Sequence, residues 1–199
     1  MRILTCMLAL AGALPLPLAG QVRYSVTFGA TGGTALLRDR IFQDIEVTQT
    51  IAPTVILGAS VPVSRRERAG LEVALGFAGS RIEESGFPTT DGPGFRTLSV
   101  TFGVEGPLFS QFTYHGAAGL MKYLADDMEG IFRQGGPLLL VLAGGVDYHL
   151  PIRGPVGLVA RIRYDYQRFS TDELRATGFT GTQDVHRIGL GLGLEYPRP

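Results

Sequence analysis

Arg187-Ile188-Gly189-Leu190-Gly191-Leu192-Gly193-Leu194-Glu195-Tyr196 alternates without a fault. Ile188, Leu190, Leu192, Leu194 and Tyr196 fall on one side of an extended chain. Arg187, Gly189, Gly191, Gly193 and Glu195 fall on the other. Successive side chains of a β-strand point to opposite faces, so this period makes a strand with one large apolar face and one small or charged face. Wound as a helix, the same residues would mix the two sets on every side.

The period returns along the chain. Leu158, Ala160, Ile162, Tyr164 and Tyr166 oppose Arg161, Arg163, Asp165 and Gln167. Leu138, Leu140, Leu142, Val146 and Tyr148 oppose Ala143, Gly145, Asp147 and His149. Further segments alternate from Val22 to Gly29, Leu71 to Ala78, Thr97 to Val104 and Gln111 to Leu120. The longest runs from Ile45 to Val63 and reads as one unbroken strand. Its odd positions, Ile45 to Val61, are mainly apolar; its even positions, Glu46 to Pro62, are polar or small. Eight strands result. An even number closes an antiparallel barrel with both chain ends on one side. Short connections at Ser64–Ala69, Gly106–Ser110 and Pro151–Gly154 alternate with longer ones at Arg38–Asp44, Glu83–Phe95, Ala125–Gly136 and Ser170–Gln183. Short periplasmic turns and longer outer loops are the asymmetry of membrane barrels.

The first residues differ from the rest. Met1-Arg2 is a short basic start, Ile3 to about Leu18 is apolar, and Ala19-Gly20 are small, which is the three-part export pattern. Pro15 and Pro17 would break a spanning helix there. Residues 1–20 are therefore expected to be a cleaved signal peptide and 21–199 the barrel domain. Cys6, the only cysteine, leaves with the signal, so neither a disulfide framework nor a thiolate metal site is expected. Without Arg2 the chain keeps 17 basic and 18 acidic residues, a balance that excludes the basic excess of a nucleic-acid binder.

Alternation alone does not say which face is inside. A lipocalin-type carrier places apolar residues within, and a membrane barrel inverts this. Size decides. An eight-stranded interior only just accommodates side chains. Here the apolar face is bulky, whereas the polar face carries Gly76, Gly103, Gly119, Gly145, Gly189, Gly191 and Gly193. The small face belongs inside. It brings with it an interior polar network of Arg23, Glu46, Glu72, Glu105, Asp147, Arg161, Arg163, Asp165, Arg187 and Glu195, four positive and six negative. A paired ionic plug is expected rather than an ion path. Tyr24, Phe112, Tyr114, Tyr148 and Tyr196 near the short turns, and Tyr123, Tyr164, Tyr166 and Phe169 near the long loops, read as two aromatic belts on the apolar face.

From about Val22 to Tyr196 the chain resembles the small eight-stranded outer-membrane barrels of the OmpA, OmpX and opacity-protein type. The resemblance rests on the strand pattern, the loop alternation and two stretches, Gly157–Tyr166 and Arg187–Tyr196. Of these, Arg187–Tyr196 is similar to the C-terminal signal read by the barrel-assembly machinery, although Pro197-Arg198-Pro199 follow its aromatic. The resemblance implies a bacterial outer-membrane location. It also implies lipid and lipopolysaccharide as surroundings, and a structural, envelope-integrity or surface-interaction role.

Rival functions would need particular residues. Some small outer-membrane barrels modify lipid A and need a histidine paired with serine and an acid at the outer rim. Of His115, His149 and His186, only His186 is near such groups, namely Asp184, Ser170 and Asp172, and its flanks match no enzyme motif. No catalytic residue, cofactor or metal is expected. Asp126, Asp127 and Glu129 lack the spacing of a calcium loop and read as a solvated loop. A lipid A-modifying enzyme, a narrow pore and a soluble lipocalin-like carrier stand as alternatives.

Overall fold

The computed structural model describes residues 22–39, 45–127, 130–152, 154–176, 178 and 181–197. The expected signal segment 1–20 and Glu129 of the acidic loop lie outside the described residues. The chain forms β1 (Arg23–Gly33), β2 (Leu37–Asp39), β3 (Ile45–Gln49), β4 (Ala52–Pro62) and β5 (Arg68–Glu84). It continues with β6 (Thr90–Phe109), β7 (Phe112–Ala125), β8 (Leu138–Leu150), β9 (Gly157–Phe169) and β10 (Gln183–Tyr196). A 3-10 turn (Gly130–Phe132) and a short helix α1 (Asp172–Ala176) lie in the loops.

Every pairing is antiparallel. Neighbours run β5-β4-β1-β10-β9-β8-β7-β6, and a β5–β6 pairing returns to the start, so eight strands close into a ring. The first and last strands of the ring seal it, from Tyr24↔Tyr196 to Gly33↔Arg187. The inside-out assignment holds along the walls. Leu140 is 77% exposed and Leu190 62%, whereas Arg161 is 5% and Arg187 3% exposed. Large apolar side chains cover the exterior, and hydroxyls, glycines and charges fill the lumen.

The segment Ile45–Val63 is not one unbroken strand. Thr54 pairs with Gly76, and Gln49 pairs with Ser80, so five steps on β3–β4 match four on β5. One residue is inserted, a β-bulge, and each bulge of this kind moves every later side chain to the other face. Thr50 anchors it: its amide donates to Gly79 O at 2.9 Å and its hydroxyl accepts from Gly79 N at 2.8 Å. Below the break Ala52, Ile56 and Ser60 point inward; above it Val47 and Gln49 do.

The expected loop Glu83–Phe95 is mostly strand as well. β5 and β6 stay paired out to Ile82↔Thr90, and only residues 85–89 turn. With β3 and β2 added on the β5 side, this hairpin raises the wall at the loop end.

Two members of the expected aromatic belts lie inside. Tyr123 and Phe169 are fully buried at the loop end of the lumen, with Phe95, Phe132, Leu36 and Leu174. Ring centroids are 5.2 Å apart for Tyr123–Phe169 and 5.4 Å for Phe95–Tyr123. Tyr24 and Tyr196 near the turns, and Tyr164 near the loops, do face outward.

The face assignment predicts a contrast between neighbours. Leu190→Arg puts a cation on the hydrocarbon side and costs roughly 2–4 kcal/mol, read as a lower urea midpoint for the barrel folded in lipid vesicles. Gly191→Arg fails to fold, because even a Cβ at that site lies 2.7 Å from Thr27 Cγ2 and 3.0 Å from Phe28 O. Equal tolerance of Leu190→Arg and a loop substitution contradicts the assignment.

Candidate functional site

The lumen is built in tiers. β9 supplies the middle one, because Arg161, Arg163 and Asp165 share an inward parity on one strand. Arg161 grips Asp147 of β8 bidentately, Nε donating to Oδ1 at 2.8 Å and Nη2 to Oδ2 at 2.7 Å. Its Nη1 donates to Glu72 Oε1 of β5 at 2.6 Å, across the barrel. The other oxygen of Glu72 accepts from Arg163 Nη1, and Arg163 Nε donates to Asp165 Oδ1 at 2.7 Å. One carboxylate thus bridges two guanidiniums. His115 Nδ1 lies 3.7 Å from Asp147 Oδ2. Its ring occupies the space left by Gly145, where a Cβ would meet His115 Cε1 at 2.6 Å.

At the turn end, Glu105 gathers a further set. Its Oε1 accepts from Ser60 Oγ at 2.8 Å and Arg23 Nη1 at 3.2 Å, and it lies 3.3 Å from Arg68 Nε. Arg68 also donates to Ser60 Oγ at 3.0 Å and to Ser60 O at 2.8 Å. Glu195 Oε2 lies 3.3 Å from His149 Nδ1, whose other nitrogen is 3.0 Å from Thr113 Oγ1. At the loop end the aromatic cap closes the lumen, and the Gln167 amide donates to the Tyr123 hydroxyl.

Nine of the ten residues read from the sequence as an interior network line this lumen: Arg23, Glu72, Glu105, Asp147, Arg161, Arg163, Asp165, Arg187 and Glu195. Glu46 does not. It sits above the bulge on β3 and pairs with Arg38 of β2, with Nη2–Oε1 at 2.7 Å, on the half-exposed outer hairpin. That hydrogen bond, and then its charge, raises the Arg38 pKa above its ordinary value. The sequence pattern also concealed Arg68, which falls in an expected turn. Its even parity with Gly70, Glu72 and Gly76 was the available signal. With Arg68 in and Glu46 out, the described lumen holds five guanidiniums (Arg23, Arg68, Arg161, Arg163, Arg187) and five carboxylates (Glu72, Glu105, Asp147, Asp165, Glu195). Balance of this kind is what a low-dielectric interior requires.

Space in the lumen is scarce. Two cavities of about 30 Å³ each lie on either side of Arg161, which lines both. Each has room for roughly two waters. The triad geometry is not formed: His186 faces outward, its Nδ1 2.5 Å from Tyr164 Oη, while Ser170 is buried. Among the described residues no group of histidines, cysteines and acids is arranged to hold a metal ion.

Glu72 is the keystone of the middle tier. Glu72→Gln removes the charge that two arginines share and leaves Arg161 to Asp147 alone and Arg163 to Asp165 alone. Its expected cost is about 3 kcal/mol or more, read from unfolding in lipid vesicles. A loss below about 1 kcal/mol, as for an exposed ion pair, contradicts the tier as described.

The barrel shape is shared with solved outer-membrane proteins. Neisserial surface protein A is 14% identical, with a TM-score of 0.51 over 89% of this chain and 97% of its own. OprG from Pseudomonas aeruginosa is 12% identical, with a TM-score of 0.50 over 89% of this chain and 97% of its own. Ail of Yersinia pestis, in complex with the heparin analogue sucrose octasulfate, is 16% identical, with a TM-score of 0.50 over 88% of this chain and 98% of its own. No protein-family model matches the sequence, and no curated protein matches it. The likeness establishes the fold, a closed eight-stranded antiparallel barrel of the outer-membrane type.

Proposed function

We propose that this chain is a bacterial outer-membrane barrel with a structural or surface-interaction role, exported with a cleaved signal peptide and inserted by the barrel-assembly machinery. The observation that carries the reading is the combination of an apolar exterior with a lumen closed twice, by the ionic tiers and by the aromatic cap. A hydrocarbon solvent suits the apolar exterior. The ionic tiers and the aromatic cap fill most of the described lumen and leave it only two small cavities, which favours neither a pore nor a lipocalin-like carrier. What stays accessible is the loop end.

There the β5–β6 hairpin projects, with Phe87 67% exposed at its tip. Lipopolysaccharide is the surrounding this end would meet. The ligand of Ail does not transfer readily. Described charges at the loop end are of both signs, Arg81, Arg96 and Arg175 among Glu83, Asp91, Asp126 and Asp172. A sulfated chain needs a concentrated basic patch.

Fractionation tests the location. The protein is expected in the outer-membrane fraction, and unboiled samples are expected to migrate differently from boiled ones on a gel. Protease added to intact cells is expected to cut first within residues 85–89, the turn of the projecting hairpin. In planar bilayers the wild type is expected to be silent. A periplasmic protein without heat-dependent migration, or steady conductance, overturns the reading.

A further inference from the structure

Arg187 is 3% exposed, and no carboxylate oxygen lies within 4.0 Å of it among the described residues. Its Nη1 is spent on the Met121 thioether at 3.3 Å, a weak acceptor, and its Nε has no hydrogen-bond partner. A buried guanidinium so poorly supplied is costly unless something else compensates it. It lines the cavity between the middle tier and the aromatic cap.

The geometry of that cavity points to an anion. Gly76 leaves a cradle: a Cβ there would lie 2.8 Å from Thr97 Oγ1, 3.6 Å from Thr54 Oγ1 and 3.7 Å from Arg187 Nη2. Thr54 is already engaged, donating to Ala52 O at 3.1 Å and lying 3.1 Å from Thr31 Oγ1. Thr97 is buried and its hydroxyl carries a proton to give. Arg163 lines the same cavity, and its buried Nη2 has no partner either. Asp165, the carboxylate that lines the cavity, has its Oδ1 on Arg163 Nε at 2.7 Å.

We propose that this cavity is a binding site for a monatomic anion of the halide class, held by Arg187, Arg163 and the Thr97 hydroxyl over Gly76. Three donor groups face one space and the carboxylate beside it is engaged. A metal cation is disfavoured by the two guanidiniums. At about 30 Å³ the cavity has room for a halide. The lumen as a whole is balanced, so local geometry rather than net charge holds the ion. The site is independent of the membrane placement proposed above, because it rests on the lumen alone.

The barrel crystallised in bromide in place of chloride, with data at the bromine edge, gives the direct readout. An anomalous peak in this cavity beside Arg187 and Thr97 is expected. In solution, the wild type should unfold at a higher temperature in chloride or bromide than in gluconate, a bulky organic anion, at equal ionic strength. Gly76→Ala, whose methyl fills the cradle, should lose that halide-specific rise while keeping its fold. Arg187→Met removes a cation that no described carboxylate pairs with, and should lose it too. Absence of bromide density in the cavity overturns the proposal, as does a halide response in Gly76→Ala equal to that of the wild type.

Discussion

Everything in this molecule depends on the pairing of β1 with β10. An open sheet presents a row of unpaired amides and carbonyls, and hydrocarbon offers them no partner. The register from Tyr24↔Tyr196 to Gly33↔Arg187 removes both edges at once. Closure at eight strands then fixes the lumen's width. Gly191 opposes Gly29 at the seam, where a Cβ on Gly29 would sit 2.2 Å from Leu190 O. The seam is narrow because both strands present almost nothing inward there.

A lumen this narrow must be filled, and the filling is graded along its length. Near the turns Glu105 collects Arg23 and Arg68. In the middle Glu72 bridges Arg161 and Arg163, which also hold Asp147 and Asp165. Near the loops charge gives way to Phe95, Tyr123, Phe132 and Phe169. Each ionic tier includes at least one pair on non-adjacent strands, Arg23–Glu105 near the turns and Arg161–Glu72 and Arg163–Glu72 in the middle, so it cross-braces the ring as well as plugging it. Breaking one member of such a set costs more than the set contributes in net stability, because the orphaned partner stays buried. Arg187, between the middle tier and the cap, has no carboxylate partner among the described residues.

Much of this was legible in the sequence, and the failures have definite causes. Period two gave the strands, their faces and nine of the ten lumenal charges named from it. Glu46 went wrong because parity was carried through Thr50 and Ile51, where one inserted residue reverses it. A bulge leaves no composition signal in a segment rich in threonine and β-branched residues. Tyr123 and Phe169 went wrong for the opposite reason. Their odd parity, shared with His115 on β7 and with Arg161 and Asp165 on β9, already placed them inward. The expectation that aromatics form an exterior belt overrode it. The cap itself needs Leu36 and Leu174 from the loops, and no strand periodicity reaches them. The β5–β6 extension was hidden by Gly92-Pro93-Gly94, which reads as a turn or a strand kink and lies within β6.

The central claim is that the bulky apolar face meets hydrocarbon and the small charged face is enclosed. Beyond Cys6 the chain has no cysteine, so single spin labels can be placed without background. The sharpest test is relaxation of labels along β8, at Leu140, Leu142, Ala143 and Val146, in lipid vesicles. Collisions with oxygen should be frequent at Leu140, Leu142 and Val146, and those with a water-soluble nickel chelate rare. A label at Ala143 should be shielded from both or prevent folding. Nickel accessibility at Leu140 and Leu142 equal to that of a loop label would contradict the claim, and would turn the barrel right side out.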